Sequence, residues 1–272
     1  MQNKWFRIVF VGDIMGKYGR RLLGKALPMV NIKYAPDLII ANGENSAGGL
    51  GIVPKTAYEI FESGVDIITT GNHVWDKKEA FTLLKEDERI LRPINYPPST
   101  PGKGYILFKN KDNVEALVVN IQGRVFMEPV VDNPFLAMDD FLEDKKHKII
   151  FVDFHAEATA EKQALGFYLD GRVSAVLGTH THVQTSDLRI LGDGTAYQSD
   201  VGMTGALDSI IGMKREPVIQ KFVTGINHRF EVSKKNLIMD MAILDIDPIT
   251  GKAAHVEPLR LFESRYEEQL RF

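Results

Sequence analysis

The segment Gly178-Thr179-His180-Thr181-His182 follows the apolar run Val173-Ser174-Ala175-Val176-Leu177. Two of the chain's seven histidines thus stand one residue apart where a buried strand is expected to end. Residues i and i+2 of a strand share a face, and in the loop leaving it two imidazoles can converge on one point. A metal ion explains such a pair, and so do two polar loop residues, so the partners decide. Asp13 follows the run Arg7–Val11, and Glu44 with Asn45 follows Asp37–Ala41. Asn72 with His73 follows Asp66–Thr70, and His155 follows Lys148–Phe154. Each is ordinary alone. Asp13 reads as a turn or helix cap, Asn42-Gly43-Glu44-Asn45 and Gly71-Asn72-His73 as turns, and His155 as a core histidine on a carbonyl. Their recurrence at successive strand ends is not ordinary, because ligands bind at the carboxyl ends of parallel strands.

The residue types then select the chemistry. Two carboxylates, carboxamides and several imidazoles suit manganese, iron, zinc or cobalt, and are too rich in nitrogen for calcium or magnesium. Asp13, Glu44, Asn45, Asn72, His73, His155, His180 and His182 exceed the needs of one tetrahedral ion. They suit two ions about 3.5–4 Å apart that share a carboxylate, an arrangement that acidifies water and clamps a phosphoryl oxygen. Hydrolysis of a phosphate ester is the natural reaction of such a site.

The elements that position these residues alternate. Strands are expected over Arg7–Val11, Asp37–Ala41 and Asp66–Thr70, with helices over Tyr18 to about Tyr34, over 54–63, and through about Lys85 with Asp76 as a cap. Strand, polar turn and helix in repetition predict βαβ units and a mostly parallel sheet. After a proline-rich loop, Arg92–Pro101, strands are expected at Tyr105–Lys109 and Glu115–Ile121. A helix near Pro134–Asp144, the strand Lys148–Phe154 and a helix over Glu157–Leu169 follow. Ser199–Lys214, rich in glycine and methionine, reads as a long loop acting as a lid or interface, and Leu237–Asp245 reads as a strand.

Composition narrows the class. Of 272 residues, 44% are hydrophobic and 25% charged, as in an ordinary globular protein, and no repeat or linker interrupts them, so one domain over 1–272 is expected. The absence of cysteine excludes disulfides, zinc–thiolate sites and iron–sulfur clusters, and fits a reducing compartment. The N-terminal apolar run is too short for a signal core or membrane span, so a cytoplasmic protein is expected, with no membrane partner. A formal charge of −3 gives no basic footprint for polynucleotides. Lys17, Arg20, Arg21 and Lys25 read as a solvated helix face.

At its chemical residues the sequence resembles the calcineurin-like metallophosphoesterases, through Gly71-Asn72-His73 and Gly178-Thr179-His180-Thr181-His182. It departs from their usual pattern where Ile14-Met15 follows Asp13, which removes a histidine, and where Glu44-Asn45 replaces a bridging aspartate. These departures match the YmdB-like phosphodiesterases. The similarity extends through GDIMG at 12–16, NGENSAGG at 42–49, TTGNHVWDKKE at 69–79, RPINYPPSTPGKG at 92–104, NIQGR at 120–124 and DVGMTG at 200–205. The resemblance implies a four-layer αββα sandwich and two transition-metal ions, iron or manganese before zinc. It also implies phosphodiesterase activity that includes 2′,3′-cyclic nucleotides, carried out by a metal-activated hydroxide.

It implies that Glu44 bridges the ions, that Asp13, Asn45 and His182 complete one site, and that Asn72, His155 and His180 complete the other. It assigns His73 as proton donor to the leaving oxygen. Glu157 and Asp200 are candidates to support the ligands, Thr179 and Thr181 to line the phosphate site, and Arg124 to contact phosphate or form a surface ion pair. A small phosphodiester or nucleotide is the expected substrate, RNA ends also fit, and a homo-oligomer is left open. Two alternatives remain: a phosphomonoesterase or protein phosphatase, and a regulatory metal-binding protein with incidental activity.

Overall fold

A computed structural model describes residues 5–271. Residues 1–4, part of the N-terminal stretch read above as too short for a signal core, lie outside the described residues. The chain folds into two stacked sheets flanked by helices. The larger, 8-stranded sheet runs β2 (Asp13–Ile14), β12 (Met203–Ala206), β13 (Leu237–Ile246), β1 (Phe6–Val11), β3 (Leu38–Asn42), β4 (Ile67–Thr69), β5 (Ile90–Leu91), with β14 (Ala253–Phe262) also paired to β13. The 6-stranded sheet runs β10 (Arg189–Ile190), β11 (Ala196–Gln198), β9 (Ala175–Thr179), β8 (Ile149–His155), β7 (Glu115–Gln122), β6 (Tyr105–Lys109). The strand runs that precede Glu44, Asn72, His155 and His180 all pair in parallel, as expected. Both sheets are nevertheless mixed, because β13, β14, β6 and β10 join antiparallel.

The layering follows from which faces are apolar. β1, β3, β8 and β9 are buried on both faces and so read as unbroken apolar runs rather than alternating ones. Phe6, Ile8 and Phe10 point to the second sheet, where Phe10 meets Phe151 edge-on at 4.9 Å between centroids. Val9 and Val11 point the other way, to α1 (Gly16–Tyr34), α2 (Pro54–Glu62) and α3 (Glu79–Glu86). α1 buries Leu22, Leu23, Ala26, Leu27 and Val30, the i, i+3/i+4 stripe of a surface helix. On the far side, Leu117, Val119, Ile150 and Val152 pack under α4 (Pro134–Glu143) and α5 (Thr159–Tyr168). The order is therefore helices, sheet, sheet, helices, the αββα sandwich that the resemblance implies. No described helix is long and apolar enough to cross a membrane.

Two local expectations are corrected. Ser199–Lys214 is not one loop, since Met203–Ala206 forms β12 between β2 and β13. A glycine-rich segment gave no strand period, and its pairing is supplied by distant partners. The next segment carries α6 (Arg215–Thr224), after which the chain returns to β13. Asp76 does not cap α3, which starts at Glu79 behind Lys78; its carboxylate is taken by His73. α7 (Tyr266–Gln269) closes the described chain. The basic residues of α1 are partly paired, with Arg20 on Glu59 and Arg21 on Glu263.

Candidate metal centre

The two sheets present their carboxyl ends at one edge, and both contribute to the constellation. From the first come Asp13 at β2, Glu44 and Asn45 after β3, and Asn72 and His73 after β4. From the second come His155, the last residue of β8, and His180 and His182 after β9.

Around one point, His155 Nε2 lies 3.0 Å from Glu44 Oε1, 3.1 Å from Asn72 Oδ1 and 3.0 Å from His180 Nδ1. The nitrogen carries at most one proton, which cannot serve three acceptors. Ligand atoms of Glu44, His155 and His180 all lie within 4.8 Å of one another. Beside them, His182 Nε2 faces Asp13 Oδ1 across 3.7 Å. His182 Nδ1 donates to the Ile211 carbonyl at 2.9 Å, so Nε2 turns its lone pair toward the carboxylate. Asp13 Oδ1, Glu44 Oε1 and Asn45 Oδ1 are buried without a well-formed hydrogen bond, although ring nitrogens of His182 and His155 face the two carboxylates at 3.7 and 3.0 Å. Buried acceptors are normally satisfied. Three such acceptors among imidazole nitrogens fit first-row transition cations, the groups that this donor set favours.

The burial of these groups sets up opposing charges. Burial raises Asp13, against the pull of His182 and His155. Burial would raise Glu44 too, but His155 and the His73 amide outweigh it and hold it at about 2. Burial lowers His155, yet Glu44, Asp13 and Asp153 together lift it to about 9. His180 falls to about 3, through burial first and His155 second.

Supporting contacts fix each ligand. The Thr179 hydroxyl donates to Asp153 Oδ1 at 2.7 Å and so accepts from His155 Nδ1 at 2.9 Å, which leaves Nε2 facing Glu44. Asp153, fully buried, is pushed up to about 7 by that burial. Asn42 Oδ1 accepts from the Glu44 amide at 3.1 Å, and the His73 amide donates to Glu44 Oε2 at 3.0 Å. Lys162, 1% exposed, donates to the Thr179 carbonyl at 2.8 Å and to Asp200 Oδ2 at 2.7 Å. Asp200 Oδ2 also accepts from the Thr181 amide at 2.9 Å, between the two histidines. His180 and His182 adopt φ of 104° and 64°, a strained choice for non-glycine residues that this network holds in place. A Cβ at Gly71 would sit 2.1 Å from His155 Cδ2, and one at Gly178 would sit 1.8 Å from the Ser199 carbonyl oxygen, so both motif glycines serve close approach.

All eight proposed site residues thus lie at this edge. His73 is tied through Nδ1 to Asp76 Oδ2 at 2.9 Å and lines the cleft above the ligands. Glu157 supports His180, at 3.2 Å from Nε2, while helix α5 starts two residues later. Asp200 supports the loop, as anticipated. Thr181 lines the cleft, but Thr179 is buried beneath it. Arg124 lies in a separate depression with Phe135 and Glu161 and does not reach the cleft. Sequence reasoning missed Asn42, Asp153 and Lys162. Asp153 and Lys162 lie inside regular elements, where a polar residue gives no signal until burial is known. The cleft holds about 470 Å³.

Comparison with known proteins places this geometry among relatives. A family model described as "YmdB-like protein" matches residues 9–259. A 2′,3′-cyclic-nucleotide 2′-phosphodiesterase of Bacillus subtilis (strain 168) is 48% identical, over 92% of this chain and 95% of its own. A crystal structure of a hypothetical protein from Thermus thermophilus superposes with a TM-score of 0.89 at 44% identity, covering 94% of this chain and 99% of that one. A crystal structure of a novel phosphatase from Mycoplasma pneumoniae gives a TM-score of 0.91 at 34% identity, covering 99% and 98%.

Proposed function

The chain belongs to the YmdB-like family, and on that premise we propose that it is a metal-dependent phosphodiesterase acting on 2′,3′-cyclic nucleotides. The observation that carries the reading is the set of buried acceptors without a well-formed hydrogen bond on Asp13, Glu44 and Asn45 beside three imidazoles. In this reading the centre would hold two cations: Glu44 would serve both, Asp13, Asn45 and His182 would hold one, and Asn72, His155 and His180 the other. The family resemblance favours iron or manganese, with zinc next, and the mixed imidazole and carboxylate donors suit all three. When bound, such ions acidify water to a nucleophile and neutralise charge on the phosphoryl oxygens.

The chain's own residues do the rest. Thr179 and Asp153 keep the His155 ring in one tautomer, and the Ile211 carbonyl does so for His182. Asp76 holds His73 Nδ1, which leaves Nε2 to hand a proton to the leaving ribose oxygen. Deep burial of the carboxylates excludes water from the ligand floor, where electrostatic stabilisation is strongest. The 470 Å³ cleft has room for a single nucleotide. We read the whole of 1–272 as one domain, and a cysteine-free chain suits a cytoplasmic enzyme.

The test is metal analysis of protein purified without chelator, combined with rates on 2′,3′- and 3′,5′-cyclic nucleotides, nitrophenyl phosphate and its bis-ester. We expect close to two transition ions per chain, preference for the 2′,3′-cyclic esters, and loss of turnover in Glu44→Gln. Faster cleavage of the monoester than of any diester overturns the reading in favour of a phosphomonoesterase.

A further inference from the structure

Ala206 of β12 faces Leu237 of β13 directly across their antiparallel ladder. A turn of a few residues could close such a pair. The chain instead uses all of 207–236, including α6, and folds this arm over the cleft. The arm is anchored at its base. Met213 pairs with Ile210 and Val232, and the Ser233 amide donates to the Gly212 carbonyl at 2.8 Å. Its Ile211 carbonyl holds the His182 ring. Long insertions between elements that a short turn could join are commonly functional.

The arm builds one wall of the cleft, and that wall differs in kind from the floor. The floor is Glu44, Asn45, His180 and His182; the wall is Ile211, Met213, Val218 and two aromatic rings, Phe222 and Phe230. Phe222 lines the cleft and is 81% exposed, with Ile219 and Val223 beside it on α6 at 48% and 75%, and grouped exposed apolar side chains, unlike isolated ones, mark binding surfaces. Phe230 is 37% exposed and carries Lys221 Nζ over its ring at 5.5 Å. Among the described residues, Lys221 is the only lysine or arginine that lines this cleft.

We propose that this wall is a nucleobase subsite, in which Phe222 stacks on the base of the substrate while its phosphate lies on the ligand floor and Lys221, parked against Phe230, keeps a positive charge at the rim. The assignment rests on the phosphodiesterase reading and deepens it. A base presents a π-face that an exposed phenyl ring can cover, and stacking of this kind is indifferent to base identity. Apart from Lys221 the arm's described wall offers no side-chain donor or acceptor to read a base edge, so the subsite accepts all four bases.

The experiment compares 2′,3′-cyclic AMP and 2′,3′-cyclic CMP with the base-free 1-O-methylribose 2′,3′-cyclic phosphate, using the full chain loaded with manganese. In Phe222→Ala the preference for each nucleotide over the base-free ester, as a ratio of kcat/KM, should fall about 5- to 150-fold. The loss should lie in KM and be restored by Phe222→Tyr. Ile219→Ser, an exposed α6 residue outside the cleft, should leave the ratio unchanged. An unchanged ratio in Phe222→Ala, or an equal fall in Ile219→Ser, overturns the subsite while the phosphodiesterase reading stands. If the wild type cleaves none of the three esters, the phosphodiesterase reading falls and the subsite falls with it.

Discussion

Replacing Lys162 by methionine keeps nearly the same volume but removes a cation that is 1% exposed and whose partner, Asp200, is equally buried. The ammonium bonds Asp200 Oδ2 at 2.7 Å and the Thr179 carbonyl at 2.8 Å. Breaking a buried pair by deleting one partner typically costs about 3–5 kcal/mol, because the survivor stays charged in a poor solvent. Asp200 would keep the Thr181 and Gly202 amides, each at 2.9 Å. Those two contacts place the expected cost at the low end, about 3 kcal/mol, or roughly 6–12 °C in Tm for a chain of this size. Lys162→Met with Asp200→Asn removes both charges, so the double variant should be less destabilised than the sum of the singles by about 1 kcal/mol or more. Urea unfolding in the presence of a chelator measures all four corners of this cycle without a metal-binding contribution. Because Asp200 holds the Thr181 amide between the histidines, Lys162→Met should also weaken metal binding by about 10–100-fold. A shift under about 1 kcal/mol, or additive single effects, would refute the view that this pair holds the histidine loop.

Two further outcomes follow from the same geometry. His73→Gln should lower kcat on cyclic nucleotides by about 10²–10⁴ while metal content, measured by elemental analysis, stays at the wild-type level. The loss should be smaller for the bis-nitrophenyl ester, whose leaving group needs no proton; an equal loss on both would remove His73 from proton transfer. Burial raises the Tyr197 hydroxyl to about 12, against the pull of Ser199. The folded state therefore keeps a proton that the unfolded chain releases near pH 10, so this contribution is intact below pH 10 and lost as pH climbs to about 12. Unfolding midpoints of wild type and Tyr197→Phe should converge or cross over that interval, and parallel midpoints across it would show that Tyr197 titrates normally.

The strand ends carried most of the site into the sequence. Asp13, Glu44, Asn72, His155 and His180 each follow or close an apolar run, and runs buried on both faces are visible in one dimension. What Gly71 and Gly178 do was not legible, since their clearance is from the His155 ring and the Ser199 carbonyl, both distant in the chain.

Other features depend on contacts between distant residues. Periodicity cannot tell which sheet a strand joins, and here Glu44 belongs to one sheet and His155 to the other, across a gap of 3.0 Å. Asp153 and Lys162 look like unremarkable members of a strand and a helix until burial turns them into obligatory partners of Thr179 and Asp200. The strand Met203–Ala206 had no period of its own because β2 and β13 supply its pairing.

By itself, then, the sequence determined the chemical inventory and the local elements that carry it, since both depend on neighbours along the chain. Only the tertiary structure decided which oxygens are left without well-formed hydrogen bonds, which ring nitrogen faces the centre and what wall the 207–236 arm raises over it. Those properties arise from desolvation and from contacts between residues as far apart as Asp13 and His180, which no local pattern encodes.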